Sequence, residues 1–186
     1  YADRYRNYPR HDVNGEDNVR GGRIMAQTLD ESTWLIPVVW GYALIRDTLT
    51  DVERLHIENG LLKPAANAIR EHRMAIHNIQ CWKNSAVGLV GFATGDAELV
   101  RDAIDNPDYG FHAQIAKGVT GDGLWWEGSL GYHAYTMQAL WPLAEAARHA
   151  GVNLYTDRYR KLYDAPLALA LPNEIGRASC RERVSN

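Results

Sequence analysis

Helical spacing of apolar residues is the feature that most restricts the fold of this 186-residue chain. From about residue 22 onward, apolar side chains recur every three or four positions, and no stretch shows the strict alternation of a strand or a hairpin signal. The sequence therefore predicts an all-α fold. Helices joined by short turns pack in antiparallel pairs, so we expect helical hairpins in a bundle, a solenoid or an α/α toroid.

Start and stop signals divide the first third of the chain. A helical pattern begins at Gly22 and contains Pro37, where we expect a kink. The sequence Thr50-Asp51-Val52-Glu53 is a capping-box pattern that opens a second helix. Gly60 and Pro64 predict a break in that helix. The apolar positions of this helix are Val52, Leu55, Leu61 and Leu62.

The middle of the chain reads as an outward helix and a return path. The outward helix is predicted over about 82–94 and ends at the Gly95-Asp96 pair, because glycine stops helices and aspartate caps them. The return path over about 96–117 brings the chain back to the end it left. We therefore expect Asn78 and Tyr132 at the same end of the helical layer. Beyond the return path we expect a glycine-rich loop at 118–131, a helix at 132–150 and a last helix at about 156–170.

Composition excludes several classes of function. The net charge of −3 provides no basic surface for nucleic acid, and no apolar run approaches the length of a membrane span, so neither partner is expected. The seven histidines are scattered, and their spacing with the other ligand types predicts no metal site. Six Trp and ten Tyr against two Phe is an unusual balance that suits wet clefts and indicates a carbohydrate-facing surface.

Two stretches are polar where a helix core should be apolar, namely residues 77–84 and 121–135. Structural interpretations exist for each candidate. Asn78 is a good N-cap for a helix starting near Gln80, and Tyr132 has the character of an ordinary interfacial tyrosine. The Trp125-Trp126 pair suits core packing and a sugar platform equally. The remaining structural assignments are Glu127 and Ser129 as anchors of the loop, Cys81 as a small buried apolar residue, and Lys83 and Asn84 as either solvated or substrate-facing.

A set of spaced motifs resembles one enzyme family. These are Arg23-Ile24 with Gln27-Thr28-Leu29-Asp30-Glu31, then Asn78-x-Gln80-x-Trp82, and Asp122-Gly123 with Glu127-x-Ser129-x-x-Tyr132-His133-x-Tyr135. Together they resemble the heparinase II/III-like polysaccharide lyases, a superfamily that includes alginate and oligo-alginate lyases. The resemblance implies an incomplete α/α toroid followed by antiparallel β-sheet domains, of which residues 20–170 would supply the middle of the toroid.

The resemblance also implies a β-elimination on a 4-linked uronic acid, with an acidic polysaccharide or oligosaccharide as the partner. Asn78 would neutralise the substrate carboxylate, and Tyr132 would donate a proton to the leaving oxygen or also act as the base. His77 or His133 would assist Tyr132 or serve as the base. The sugar-binding residues would be Gln80, Trp82, Trp126, His133 and Tyr135. His133 should point away from Tyr132, because adjacent residues of a helix do not share a face.

The expected domain organisation follows. Residues 1–20 form an irregular lead-in, residues 21–173 a partial toroid catalytic domain, and residues 174–186 a non-native tail that reads like a translated sequencing adapter. The resemblance assigns a further catalytic histidine and any metal site to a C-terminal β-sheet domain beyond this stretch, so no cofactor is expected here. A polymeric substrate implies periplasmic or secreted localisation.

Two other functions fit the residues. An (α/α)-barrel glycoside hydrolase would use Asp122 and Glu127 as its pair of carboxylates. A non-catalytic helical module would use the aromatic residues to bind carbohydrate.

Overall fold

The computed structural model describes residues 1–169 and confirms the all-α class. Within this range there is no strand beyond two isolated bridges, His11 with Gly22 and Val119 with Trp125. The expected tail at 174–186 lies outside the described residues. The eight α-helices are α1 (Thr28–Ile45), α2 (Asp51–Ile57), α3 (Lys63–Glu71), α4 (Asn78–Thr94), α5 (Ala97–Asp105), α6 (Phe111–Gly118), α7 (Leu130–His149) and α8 (Asp157–Leu169).

Local capping signals account for several helix ends. The predicted capping box opens α2, where the Thr50 side chain accepts from the Glu53 backbone N–H and Glu53 reaches back to Thr50. Gly95 ends α4 in the left-handed conformation, with φ of 68°. Asp96 then caps α5 as predicted. The ends of these helices are therefore determined by residues within one turn of each terminus.

The predicted start of the first helix at Gly22 was wrong, because α1 begins at Thr28. The buried carboxylate of Glu31 explains the difference. Its Oε2 accepts the backbone N–H groups of Ile24 (3.1 Å) and Met25 (2.8 Å), which holds this segment outside the helix. Its Oε1 accepts from the buried Tyr5 hydroxyl at 2.7 Å and so anchors the lead-in.

The predicted break at Gly60 and Pro64 was also wrong. A π-helical turn over Glu58–Leu62 connects α2 to α3 without interruption, and Pro64 is the second residue of α3. Gly60 serves packing, because a Cβ there would lie 2.5 Å from the carbonyl oxygen of Ala2. Val52 and Leu55 are exposed rather than inward-facing, since α2 has no buried residue.

The long helices α4 and α7 run in parallel. Trp82 contacts Tyr135 near their starts, the Ser85 hydroxyl donates to the Ala139 carbonyl further along, and Gly88 packs against Leu143 beyond that. In contrast, α5 returns antiparallel to α4 from the turn at Gly95, with Ala103 beside Gly88. The expected out-and-back path is confirmed, so Asn78 and Tyr132 lie at the same end of the layer.

A second hairpin pairs α1 with the continuous α2–α3 segment. Thr28 at the start of α1 meets His72 just after α3, and Tyr42 near its end meets Glu58 before α3. This hairpin packs against α4, which lies at the centre of the molecule and is buried along most of its length. The central position of α4 fixes its first residues relative to both hairpins.

An apolar groove of about 640 Å³ runs between α1 and α7 across α4. Trp40 and Trp141 meet edge to face across it at 6.2 Å and are each nearly half exposed. Two of the six tryptophans in the sequence therefore lie on this open surface. None of the helices within residues 1–169 combines the length and apolar character needed to cross a bilayer.

Candidate active site

Glu127 is the centre of a hydrogen-bond network at the shared start of α4 and α7. Its carboxylate accepts from the Trp125 indole at 2.6 Å, from the Asn78 backbone N–H at 3.1 Å, and from Asn78 Nδ2 at 2.9 and 2.8 Å. Burial by itself raises the pKa of Glu127, but the hydrogen bonds from Trp125 and Asn78 outweigh it and lower the pKa overall. The network therefore stabilises an ionised carboxylate that ties the loop to α4.

His77 rather than Asn78 caps α4. The His77 Nδ1 accepts the Ile79 backbone N–H at 3.2 Å, and Asn78 is the first helical residue. An Nδ1 that accepts leaves the ring proton on Nε2, which lies 3.8 Å from Glu127 Oε1. The capping interpretation of Asn78 was wrong, and its side chain, 2% exposed, points to Glu127 instead.

Tyr132 lies in the first turn of α7 and is 52% exposed. Ser129 caps this helix, with its hydroxyl 3.5 Å from the Tyr132 backbone nitrogen. A shallow depression of about 380 Å³ is lined by Ser129, Gly131, Tyr132 and Tyr135. The phenol is therefore presented to solvent beside a recess, on a backbone held by the cap.

Two aromatic residues, Tyr132 and Tyr135, line this recess. Trp82 packs against Tyr135 with ring centroids 5.1 Å apart, and both are half-buried. Partial burial raises the pKa of Tyr135, and the negative charge of Asp30 adds to the shift. The two interpretations of the Trp125-Trp126 pair apply to one residue each. Trp125 is 1% exposed and packs in the core, whereas Trp126 is 51% exposed. Only Trp126 of this pair offers a face to a ligand.

Two predicted sugar-binding residues lie inside the protein. His133 is 2% exposed, its Nδ1 accepts from the Trp125 backbone N–H at 3.1 Å, and its Nε2 lies 2.8 Å from the Leu162 carbonyl oxygen. Gln80 is 3% exposed and bonds the Met74 backbone and the Asn84 side chain. In this geometry both side chains hold segments together rather than facing solvent. The expectation that His133 faces away from Tyr132 is confirmed.

On another side of α4, Lys83 forms a second buried polar cluster. Lys83 is 1% exposed, and its Nζ lies 2.8 Å from both the Nδ1 and the carbonyl oxygen of His72. Burial lowers the pKa of Lys83 to about 7. Burial, reinforced by the charge of Lys83, lowers the pKa of His72 to about 4. The solvated interpretation of Lys83 was wrong, and the same holds for Asn84, which is 2% exposed.

The remaining candidates occupy ordinary positions. Cys81 is fully buried, as expected for a small apolar residue. Asp122 is exposed on the loop that carries Glu127. Residues 1–169 contain no cluster of three or more His, Cys, Asp or Glu side chains with the geometry of a metal site.

Comparisons with known proteins agree with the motifs. The family model described as alginate lyase matches residues 59–171. The exo-oligoalginate lyase of Saccharophagus degradans is 33% identical over 128 residues, and the alginate lyase of Stenotrophomonas maltophilia is 32% identical over 123 residues. These matches cover 64% and 62% of this chain. They correspond to only 17% and 16% of the two relatives, so the chain spans about a sixth of their length.

The helical fold and these matches place the chain among the families of polysaccharide lyases. More narrowly, the chain belongs to the alginate lyase family.

Proposed function

We propose that the protein containing this chain cleaves 4-linked uronic-acid polysaccharide, of the alginate type, by β-elimination. The observation that carries the proposal is the convergence of Asn78 and Tyr132 at one end of the parallel helices α4 and α7. One relative is an exo-oligoalginate lyase and the other an alginate lyase, which supports an alginate-type substrate. In this proposal the helical layer is part of an incomplete α/α toroid, completed by further domains of a longer chain.

The chemistry requires a donor for the substrate carboxylate. The proton on C5 is acidic only when the neighbouring carboxylate is neutralised, because its removal places negative charge on that group. A positioned N–H stabilises the developing charge as an oxyanion hole does. Asn78 is assigned this role, since its amide lies at the start of α4 in a fixed orientation.

Tyr132 is assigned the proton transfer. The C5–H bond breaks, its electron pair forms the C4–C5 double bond, and the C4–O4 bond breaks as a proton passes to O4. An exposed phenol beside a recess is suited to deliver that proton, and to accept the C5 proton where both lie on one face of the sugar. His77 is assigned a supporting role. Its Nδ1 is occupied by the Ile79 backbone N–H, which caps α4, and its Nε2 faces Glu127.

Trp82, Tyr135 and Trp126 are assigned to the sugar subsite, with Trp126 offering its exposed ring. Gln80 and His133 are assigned to support of the site. The hydrolase alternative is not favoured, because Glu127 is saturated with donors and has a lowered pKa, whereas a hydrolytic acid needs a raised one. A polymeric substrate supports periplasmic or secreted localisation.

The test is turnover of uronate polymers by the complete protein, followed by ultraviolet absorbance of the unsaturated product. Tyr132→Phe removes only the hydroxyl and is expected to reduce kcat by about 10³-fold, within the range for loss of a general acid or base. Tyr155→Phe is the matched control, since its hydroxyl bonds Glu145 near the opposite end of α7. New reducing ends without absorbance would instead identify a hydrolase.

A further inference from the structure

Glu127 reaches Asn78 from 49 positions away in the chain and engages it twice, at the backbone and at the side chain. An ionised carboxylate can only accept hydrogen bonds. It therefore requires Asn78 to turn its nitrogen, and not its oxygen, toward Glu127. The side-chain amide of Asn78 has one orientation available as long as Glu127 is charged.

Glu127 engages only one of the two side-chain N–H bonds of Asn78, which is buried in this chain. Nδ2 lies almost equally far from the two carboxylate oxygens, at 2.9 and 2.8 Å. The two oxygens of one carboxylate are too close together for the diverging N–H bonds to point one at each. One N–H is therefore shared between the oxygens, and the second N–H is directed elsewhere.

The carboxylate oxygens of Glu127 face hydrogen-bond donors of the protein itself. Its lone pairs are taken by the Trp125 indole, the Asn78 backbone and the Asn78 amide, with the His77 ring proton facing it. An anion satisfied in this way can lie beside a site for a second anion with less repulsion than a bare carboxylate would cause. The arrangement fixes a donor without presenting a competing negative group.

We infer that Glu127 is a positioning residue, which holds the Asn78 amide so that its second N–H is available to the substrate carboxylate. This inference rests on the proposed function. It assigns Glu127 a role in turnover that anchoring the loop alone does not require. In a Glu127→Gln variant the glutamine amide can donate, so the Asn78 side chain can turn over and present its oxygen.

The experiment is a double-mutant cycle between Glu127→Gln and Asn78→Ala in the complete protein, with kcat and KM measured on alginate. Glu127→Gln alone should lower kcat by about 10- to 100-fold with little change in KM, because a displaced donor costs that much. In the Asn78→Ala background the same change should cost less than about twofold, since coupled residues are not additive. Glu98→Gln is the control, an exposed glutamate paired with Arg70 on α3, and should leave kcat unchanged.

Equal losses in both backgrounds would overturn the inference, as would a lowered melting temperature with kcat intact, because either result identifies a purely structural role. If Glu127→Gln fails to fold, Glu127→Asp shortens the side chain by one methylene and withdraws the carboxylate from Asn78, so the same cycle applies. Asn78→Ala with full turnover would instead refute the proposed role of Asn78, and the inference with it. The two failures are thus read from different variants.

Discussion

Two ionisable groups at α4, the partly buried Glu127 and the buried Lys83, have opposite surroundings. Glu127, next to the start of α4, receives hydrogen bonds from an indole, a backbone amide and a side-chain amide. Lys83, about one turn further along, contacts the imidazole and the carbonyl oxygen of His72, and no carboxylate within residues 1–169 pairs with it. Donors lower the pKa of the carboxyl, whereas burial lowers that of the amine. The first group is therefore held charged and the second is driven towards its neutral form.

The largest expected effect comes from replacing the ammonium with an apolar side chain. Because the folded pKa of Lys83 is about 7 and its usual value is 10.5, burial of the charge costs stability fully below pH 7. That cost disappears as pH rises to 10.5. The advantage in unfolding free energy of Lys83→Met over wild type should thus shrink by an amount on the order of 4 kcal/mol between these values.

Chemical denaturation across this pH range provides the measurement for Lys83. Lys117→Met serves as control, since Lys117 is exposed on α6 and its charge is solvated in both states. A Lys83→Met difference that is flat with pH would show that Lys83 is charged and compensated in the folded protein. The contrast with Glu127 would then be lost.

The opposite sign is expected at Glu127. Glu127→Ala leaves the Trp125 indole and two Asn78 donors without a partner, which should lower the unfolding free energy by about 3 kcal/mol at pH 7. Because the folded pKa of Glu127 is below its usual value, this stabilisation exists at neutral pH and is lost as pH falls through the folded pKa. Denaturation of both proteins from pH 7 to pH 3 should show their stabilities converging; a constant gap would contradict the charged network.

The smallest effect separates the site from the rest of the fold. Ser129→Ala at the start of α7 and Thr50→Ala at the start of α2 each remove an N-cap and should cost about 1 kcal/mol. Only Ser129 supports the turn that carries Tyr132, so only its loss should also reduce kcat on alginate. Thermal melts and turnover measured on the same two variants test this, and equal kcat values would exclude a role for the cap in placing Tyr132.

The sequence predicted those structural features that depend on residues close together in the chain. The capping box at Thr50, the stop at Gly95 and the cap at Asp96 act over a few residues, so their patterns are visible without a fold. The common end of Asn78 and Tyr132 followed from helix lengths alone. The role of Glu127 as a loop anchor was also anticipated, because polar residues before a helix commonly fix its start.

The partners of the site could not be predicted, because they are distant in sequence. Nothing near Asn78 indicates that a carboxylate 49 positions away will hold its amide. Likewise, the sequence left Lys83 open between a solvated and a substrate-facing position, and only the packing of α1 and α3 around α4 buries it against His72. The assumption that a lysine stays solvated failed where helices enclose α4 on several sides.

The contact between His133 and α8 has a consequence for the order in which the protein assembles. His133 joins the Trp125 backbone to Leu162, Arg158 bonds the Val119 carbonyl, and Gly123 lies against the Lys161 backbone. The conformation of the loop that carries Glu127 thus depends on contacts with α8, which follows it in the sequence. A nascent polypeptide would hold its site residues in an unshaped loop until α8 docks, so the Trp125 amide should gain protection from hydrogen exchange only at that step.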